Sequence, residues 1–232
     1  MYSPQKQYSD SFWAKLGKFI GLLVALSIPQ LVLFLPIYNK NIKLAPSLSW
    51  TLFAGSYFLL YVLYMWFYRK YRTETPQKLD RSAWTYVAIG WIIMIFAKIV
   101  FGMLNIVVSH QQTTANDADL QKILGNSDST IVIMTIMMIV FFGPLAEELL
   151  FRGILMNFFF KNHFWPSVLL SGLLFGLSHS NTTWTGSLIY IALGLILAFI
   201  YKKTNNLKIT IILHFLNNLP AILLLFANLS GK

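Results

Sequence analysis

The sequence predicts an all-α membrane protein, a polytopic bundle of about seven transmembrane helices. Its 232 residues are 56% hydrophobic and only 11% charged, whereas a soluble globular domain carries roughly 25% charged residues. A chain this apolar cannot cover a surface that faces water, so lipid is its expected solvent. The second observation is the pattern, in which long apolar runs alternate with short polar segments.

Seven apolar runs approach the roughly 20 residues that a transmembrane helix needs. We place them at 19–38, 50–68, 83–108, 130–160, 165–183, 187–201 and 207–229. The fourth run is too long for one perpendicular helix, so it is expected to tilt, to extend beyond the bilayer or to break near Gly143 and Pro144. The sixth is short, which suggests local thinning of the bilayer or burial among neighbouring helices.

We expect a single membrane domain over residues 1–232, with N-terminal transmembrane helices over 1–129 and a motif-bearing core over 130–229. The first run lacks a small-residue cleavage site after it, so it is expected to be a retained helix and not a signal peptide. The chain has no cysteine, which leaves no disulfide and no cysteine-ligated metal site available.

Basic residues flank the predicted helices and do not line one helix face. The net charge of +10 therefore predicts membrane orientation and not nucleic-acid binding. With the N-terminus in the cytoplasm, the inner segments hold 12 Lys and Arg residues and the outer segments hold 4. This bias predicts a multi-pass protein with a cytoplasmic N-terminus. Composition also suggests a bacterial plasma membrane.

Several ionisable residues lie inside predicted transmembrane helices, where they are costly unless they are paired or face a cavity. Glu148 and Arg152 stand four residues apart, so they can meet on one helix face. Glu147 lies about 100° further round the helix and is expected to point elsewhere, which makes it a candidate general base. Lys98 is expected to pair with Glu148 or to extend towards the membrane surface, in a structural role.

Two further helices carry His179 and the pair His214 and Asn218. The last two are also four residues apart and share a helix face. At a rise of 1.5 Å per residue, Glu147, His179, His214 and Asn218 lie roughly 10 to 21 Å from the same membrane face. Ordinary helix tilts absorb that spread, so these four side chains are expected to converge.

Two chemistries fit such a cluster. A glutamate and a histidine can activate a water molecule, while a histidine and an asparagine can stabilise an oxyanion. Alternatively, Glu147, His179 and His214 could bind Zn²⁺, whose bound water would be the nucleophile. The sequence lacks the H-E-x-x-H zinc motif and does not choose between the two.

The order of these motifs resembles that of the CPBP intramembrane proteases, which group CAAX prenyl endopeptidases with bacteriocin-processing and bacteriocin-immunity (Abi-like) proteins. The motifs are Glu147-Glu148-x-x-x-Arg152, Phe175-x-x-x-His179 and His214-x-x-x-Asn218. The resemblance covers residues 130–229 and implies an intramembrane endopeptidase that cuts a membrane-associated peptide or protein.

The resemblance also implies roles for the residues. Glu147 and His179 would activate the water, His214 and Asn218 would stabilise the oxyanion, and Glu148 and Arg152 would support them. We favour a mechanism without an obligatory metal, with zinc as the alternative. A non-catalytic immunity or regulatory protein of the same architecture is the rival function. A proton-coupled transporter is less favoured, because the helix break near Gly143 and Pro144 has no counterpart in a second half of the chain.

Overall fold

The computed structural model describes residues 10–39, 42, 44–72, 75 and 77–230, with side chains for all of these except 38, 126 and 221–230. This part of the chain forms eight helices and contains no strand. The helices are α1 Phe12–Tyr38, α2 Pro46–Tyr71, α3 Arg81–Ser109, α4 Ala115–Asn126, α5 Ser129–Phe158, α6 Phe164–Leu177, α7 Trp184–Thr204 and α8 Leu207–Ser230. The all-α prediction is confirmed.

Five helices are long and apolar enough to cross a membrane, namely α1, α2, α3, α5 and α7. Helix α6 is also apolar but has only 14 residues, which is short of the roughly 20 needed for a perpendicular crossing. The side chains in the second half of α8 are outside the described residues. The chain is therefore a multi-pass membrane protein, while the predicted count of seven is not confirmed.

The fifth predicted span ends earlier than expected. It was placed at 165–183, but α6 ends at Leu177, and His179 lies in the turn that follows. The Ser178 hydroxyl bonds the carbonyl oxygen of Phe175, and the His179 backbone N–H bonds that of Gly176. Serine favours such local bonds over a continued helix. The apolar pattern alone therefore overestimates the length of this helix.

Helix α5 stays continuous through Gly143 and Pro144, where a break was one expected outcome. Residues Met138–Phe142 are π-helical, so the Gly143 N–H bonds the Met138 carbonyl oxygen, five residues back. A Cβ at Gly143 would lie 2.7 Å from that oxygen, so only glycine fits there. Single π-turns interrupt helices without ending them and are frequent at functional sites. A second π-helical stretch, Leu149–Leu155, follows Glu148.

Helices α6 and α7 pack closely through small residues. Gly172 and Gly176 form a small-xxx-small pair on α6, and an added Cβ would lie 2.6 Å from Leu195 and 2.3 Å from Ile191 of α7, respectively. Such pairs let membrane helices approach at backbone distance. Helix α5 is held on its other side by α1 and α2, where Tyr57 stacks on Phe142. These contacts leave a cavity among α1, α3, α4, α5, α6, α7 and α8.

Candidate active site

A completely buried ion pair lies on one face of α5. Arg152 Nη1 donates to Glu148 Oε1 at 2.9 Å, and both side chains are 0% exposed. Arg152 Nη2 donates to the Gly194 carbonyl oxygen at 2.8 Å, and the guanidinium lies over the Phe175 ring. The predicted meeting of Glu148 and Arg152 is confirmed. The pair ties α5 to α7, a contact that helical spacing alone does not reveal.

His214 lies between the two adjacent glutamates. Its Nδ1 is 3.0 Å from Glu148 Oε1, and its Nε2 is 3.8 Å from Glu147 Oε2. The Glu148 carboxylate already accepts a bond from Arg152, and an ionised carboxylate can only accept. The Nδ1 of His214 is therefore the donor, so this histidine connects the buried ion pair to the neighbouring carboxylate.

Glu147 faces the cavity, whereas Glu148 does not. The Glu147 side chain is 17% exposed, and the cavity it lines has a volume of about 760 Å³. His179, His214 and Asn218 line the same cavity. Four side chains from α5, α8 and the turn after α6 are thus brought together around one space. That space is large enough for a short stretch of peptide.

His179 is held by aromatic rings and by a backbone bond. Its Nδ1 lies 2.9 Å from the Phe175 carbonyl oxygen, and because a carbonyl can only accept, Nδ1 carries the proton. The Nε2 is then available as an acceptor in the neutral ring. The imidazole stacks on Tyr190, with ring centroids 4.4 Å apart and an interplanar angle of 13°, and Phe175 lies against it at 4.7 Å.

Asn218 is fixed by its neighbours on α5 and α8. Its Nδ2 donates to the Ile139 carbonyl oxygen at 2.9 Å, and its Oδ1 accepts a bond from Asn217 at 2.9 Å. One Nδ2 hydrogen remains for a ligand. Lys98 also lines the cavity, but its Nζ donates to the Asn217 carbonyl oxygen at 3.0 Å. Of the two alternatives for Lys98, pairing with Glu148 is not observed, because Glu148 is buried against Arg152 on another face of α5.

Sequence reasoning missed the part of the cavity wall that α4 contributes. Tyr190 of α7 donates its hydroxyl to Asp117 Oδ1 at 3.1 Å. The same hydroxyl lies 3.0 Å from Thr114 Oγ1 and accepts a bond from Asn116 Nδ2 at 3.2 Å. The available signal was a tyrosine inside an apolar helix, whose hydroxyl needs a partner when it is buried.

The residues named for a zinc site do not form one in this arrangement. Among the residues that the structure describes, no group of three His, Asp or Glu side chains could hold a metal ion. Glu147, His179 and His214 line one cavity without meeting around a common point. Asn218, as a neutral amide, is not among the usual zinc ligands. We therefore derive no catalytic step through a metal.

The motif-bearing segment matches known protein families. Residues 129–220 match the family model of the Rce1-like type II CAAX prenyl endopeptidases. A Bacillus subtilis (strain 168) protein named "Putative membrane peptidase YdiL" is 32% identical over 77 residues, which are 33% of this chain and 31% of that protein. The chain thus matches about a third of the length of this curated relative. No solved structure matches the chain significantly.

Proposed function

We propose that the chain is an intramembrane endopeptidase, because residues 129–220 match the Rce1-like family model and carry the motifs that resemble those of the CPBP proteases. It hydrolyses a peptide bond in a membrane-associated peptide or protein. The observation that carries this proposal is the convergence of Glu147, His179, His214 and Asn218 on one cavity within a membrane helix bundle.

The first step is the activation of water by Glu147 and His179. The Glu147 carboxylate takes one proton from the water, and His179 Nε2 accepts a hydrogen bond from its other O–H. The oxygen then attacks the carbonyl carbon of the peptide, and the carbonyl oxygen becomes an oxyanion. When the C–N bond breaks, Glu147 returns its proton to the departing nitrogen, so the products are a carboxylic acid and an amine.

The oxyanion is stabilised by Asn218 and His214. Asn218 contributes the Nδ2 hydrogen that Ile139 does not use. His214 already donates its Nδ1 hydrogen to Glu148, so it stabilises the oxyanion only when Nε2 is protonated as well. The Glu147 carboxylate lies 3.8 Å from Nε2, too far for a hydrogen bond but close enough to attract a protonated ring. A preorganised donor of this kind contributes about 3 to 4 kcal/mol.

The experiment is cleavage of a quenched peptide library by the purified full-length protein in detergent. Wild type is compared with Glu147→Gln and His179→Ala, each with and without a chelator. Asp119→Asn is the matched control, because it makes the same chemical change at an exposed carboxylate on α4 that does not line the cavity. We expect a loss of about 10²- to 10⁴-fold for Glu147→Gln, the usual contribution of a general base.

The outcomes separate the rival functions. Cleavage that is lost in both site variants but kept in Asp119→Asn and with chelator supports a glutamate-activated water. Cleavage that chelator abolishes and zinc restores assigns the chemistry to a metalloprotease. If Glu147→Gln cleaves as well as wild type, the measured activity does not come from this cavity. A non-catalytic immunity or regulatory role would then replace the endopeptidase function proposed for the chain.

We also propose that the N-terminus is cytoplasmic and that the site lies in the outer half of the bundle. The cavity is lined by the last part of α3, the turn after α6 and the first part of α7. Basic residues gather at the opposite helix ends, at Arg69 and Lys70 of α2, Arg81 of α3 and Lys203 of α7. Such clusters are typical of cytoplasmic loops.

Because the sequence contains no cysteine, single cysteines report this orientation directly. An impermeant maleimide applied to intact bacterial cells is expected to label Asp119→Cys on α4 and to leave Lys203→Cys unlabelled. After membrane permeabilisation, both variants should react. The reverse labelling pattern would place the N-terminus and the basic loops outside.

A further inference from the structure

We propose that Tyr190 is a positioning residue for the reaction, which sets the orientation of the His179 imidazole and is itself fixed by the first turn of α4. This inference rests on the proposed function, because it assigns to Tyr190 a role in the action of His179 on water. No residue of α7 or of α4 belongs to the three sequence motifs.

His179 needs such support because its backbone lies outside a helix. Helix α6 ends at Leu177, and the residues on either side of His179 in the turn, Ser178 and Ser180, are exposed. A catalytic group must be held within a fraction of an ångström and about 10–20° of its productive geometry. The hydrogen bond from Nδ1 to the Phe175 carbonyl oxygen fixes one point of the ring. It leaves rotation about that point unrestrained.

The Tyr190 ring supplies the missing restraint. It lies nearly parallel to the imidazole, with centroids 4.4 Å apart, and the Phe175 ring contacts the imidazole at 52° to its plane. An imidazole in contact with a parallel ring and a tilted ring can turn only by losing those contacts. The Nε2 atom is thereby held at one position relative to the cavity that Glu147 also lines.

Helix α4 in turn fixes Tyr190. The tyrosine hydroxyl donates to Asp117 and lies within bonding distance of Thr114 and Asn116. Thr114 also caps α4, accepting a bond from the Asp117 backbone N–H at 3.1 Å. All hydrogen-bonding capacity of the phenol is used, since it has one donor and two acceptor positions. Helix α4 and its cap residue Thr114 are thus linked to the His179 imidazole through the Tyr190 ring.

Two substitutions separate the contribution of the Tyr190 ring from that of its hydroxyl. Tyr190→Phe keeps the stacked ring and loses the tether to α4, whereas Tyr190→Leu loses both. We expect kcat to fall by on the order of 10²-fold in Tyr190→Leu, the scale of a misplaced catalytic group, and by less in Tyr190→Phe. KM should change less than kcat in either, because the ring of Tyr190, although it lines the cavity, stacks on the imidazole. Tyr86→Leu, near the start of α3 and outside the cavity lining, is the control.

A double-mutant cycle distinguishes positioning from general packing. In a His179→Ala background, where residual cleavage is measured, Tyr190→Leu should cause no further loss of kcat. A packing role would instead reduce kcat by the same factor with and without His179. Thermal unfolding in detergent is recorded for every variant. If Tyr190→Leu fails to fold, the same cycle with Tyr190→Phe decides the question.

The failure of this inference differs from the failure of the proposed function. Cleavage that depends on Glu147 and His179 but is unchanged in Tyr190→Leu overturns the positioning role alone. Additive losses in the cycle overturn it as well. Cleavage that is independent of Glu147 overturns the proposed function, and the inference about Tyr190 falls with it.

Discussion

Two neighbouring faces of α5 place the same residue type in different environments. On one face, Glu148 is 0% exposed and bound to Arg152 and His214. On the neighbouring face, Glu147 is 17% exposed and lines the cavity, with His214 Nε2 3.8 Å from its Oε2. A single step along the helix separates a carboxylate that is buried with two partners on its Oε1 atom from one that lines the cavity. Adjacent glutamates in a membrane therefore need not share a function.

The largest expected effect on stability is that of Arg152→Met. It leaves the Glu148 carboxylate buried without its main counterion, and breaking one side of a buried ion pair costs about 3–5 kcal/mol. We expect a correspondingly large fall in thermal stability, measured by unfolding in detergent. The double variant Glu148→Leu with Arg152→Leu should recover part of the loss, because no lone charge remains. An unchanged melting temperature in Arg152→Met would show that the pair is not structural.

Asn218→Ala is expected to act on the cavity side with an intermediate effect. Losing one oxyanion donor reduces kcat by about 10²- to 10³-fold. The change also removes the bond to the Ile139 carbonyl oxygen, so stability should fall by about 1 kcal/mol. Steady-state cleavage kinetics check the first effect, with Asn157→Ala as the control, because Asn157 lies outside the cavity lining and also donates to a backbone carbonyl oxygen. A rise in KM without a fall in kcat would assign Asn218 to substrate binding.

The smallest expected effect is that of Glu147→Gln on stability. The side chain is partly exposed to the cavity and has no role in the buried ion pair, so unfolding should shift by no more than about 1 kcal/mol. Cleavage is expected to be lost in the same protein sample. A destabilisation as large as that of Arg152→Met would remove the distinction between the two glutamates and give both a structural role.

Local spacing predicted some of the site well. Glu148 and Arg152 are four residues apart on one helix, and the turn of an α-helix alone brings such residues together. The same geometry predicted that Glu147 points away from the pair. By contrast, neither alternative for Lys98 named its hydrogen-bond partner, which is the Asn217 carbonyl oxygen, 119 residues away. A backbone acceptor on another helix leaves no signal in the identity of a side chain.

The sequence by itself determined that this is an all-α membrane protein, and it placed the polar motifs on three successive segments at similar depth. Composition and helical period are properties of the chain that hold before any packing. Only the tertiary structure decided that His214 lies between the two glutamates, that His179 lies in a turn against Tyr190, and that α4 reaches the cavity. Those contacts join distant parts of the chain, and they depend on how helices pack, which no local period encodes.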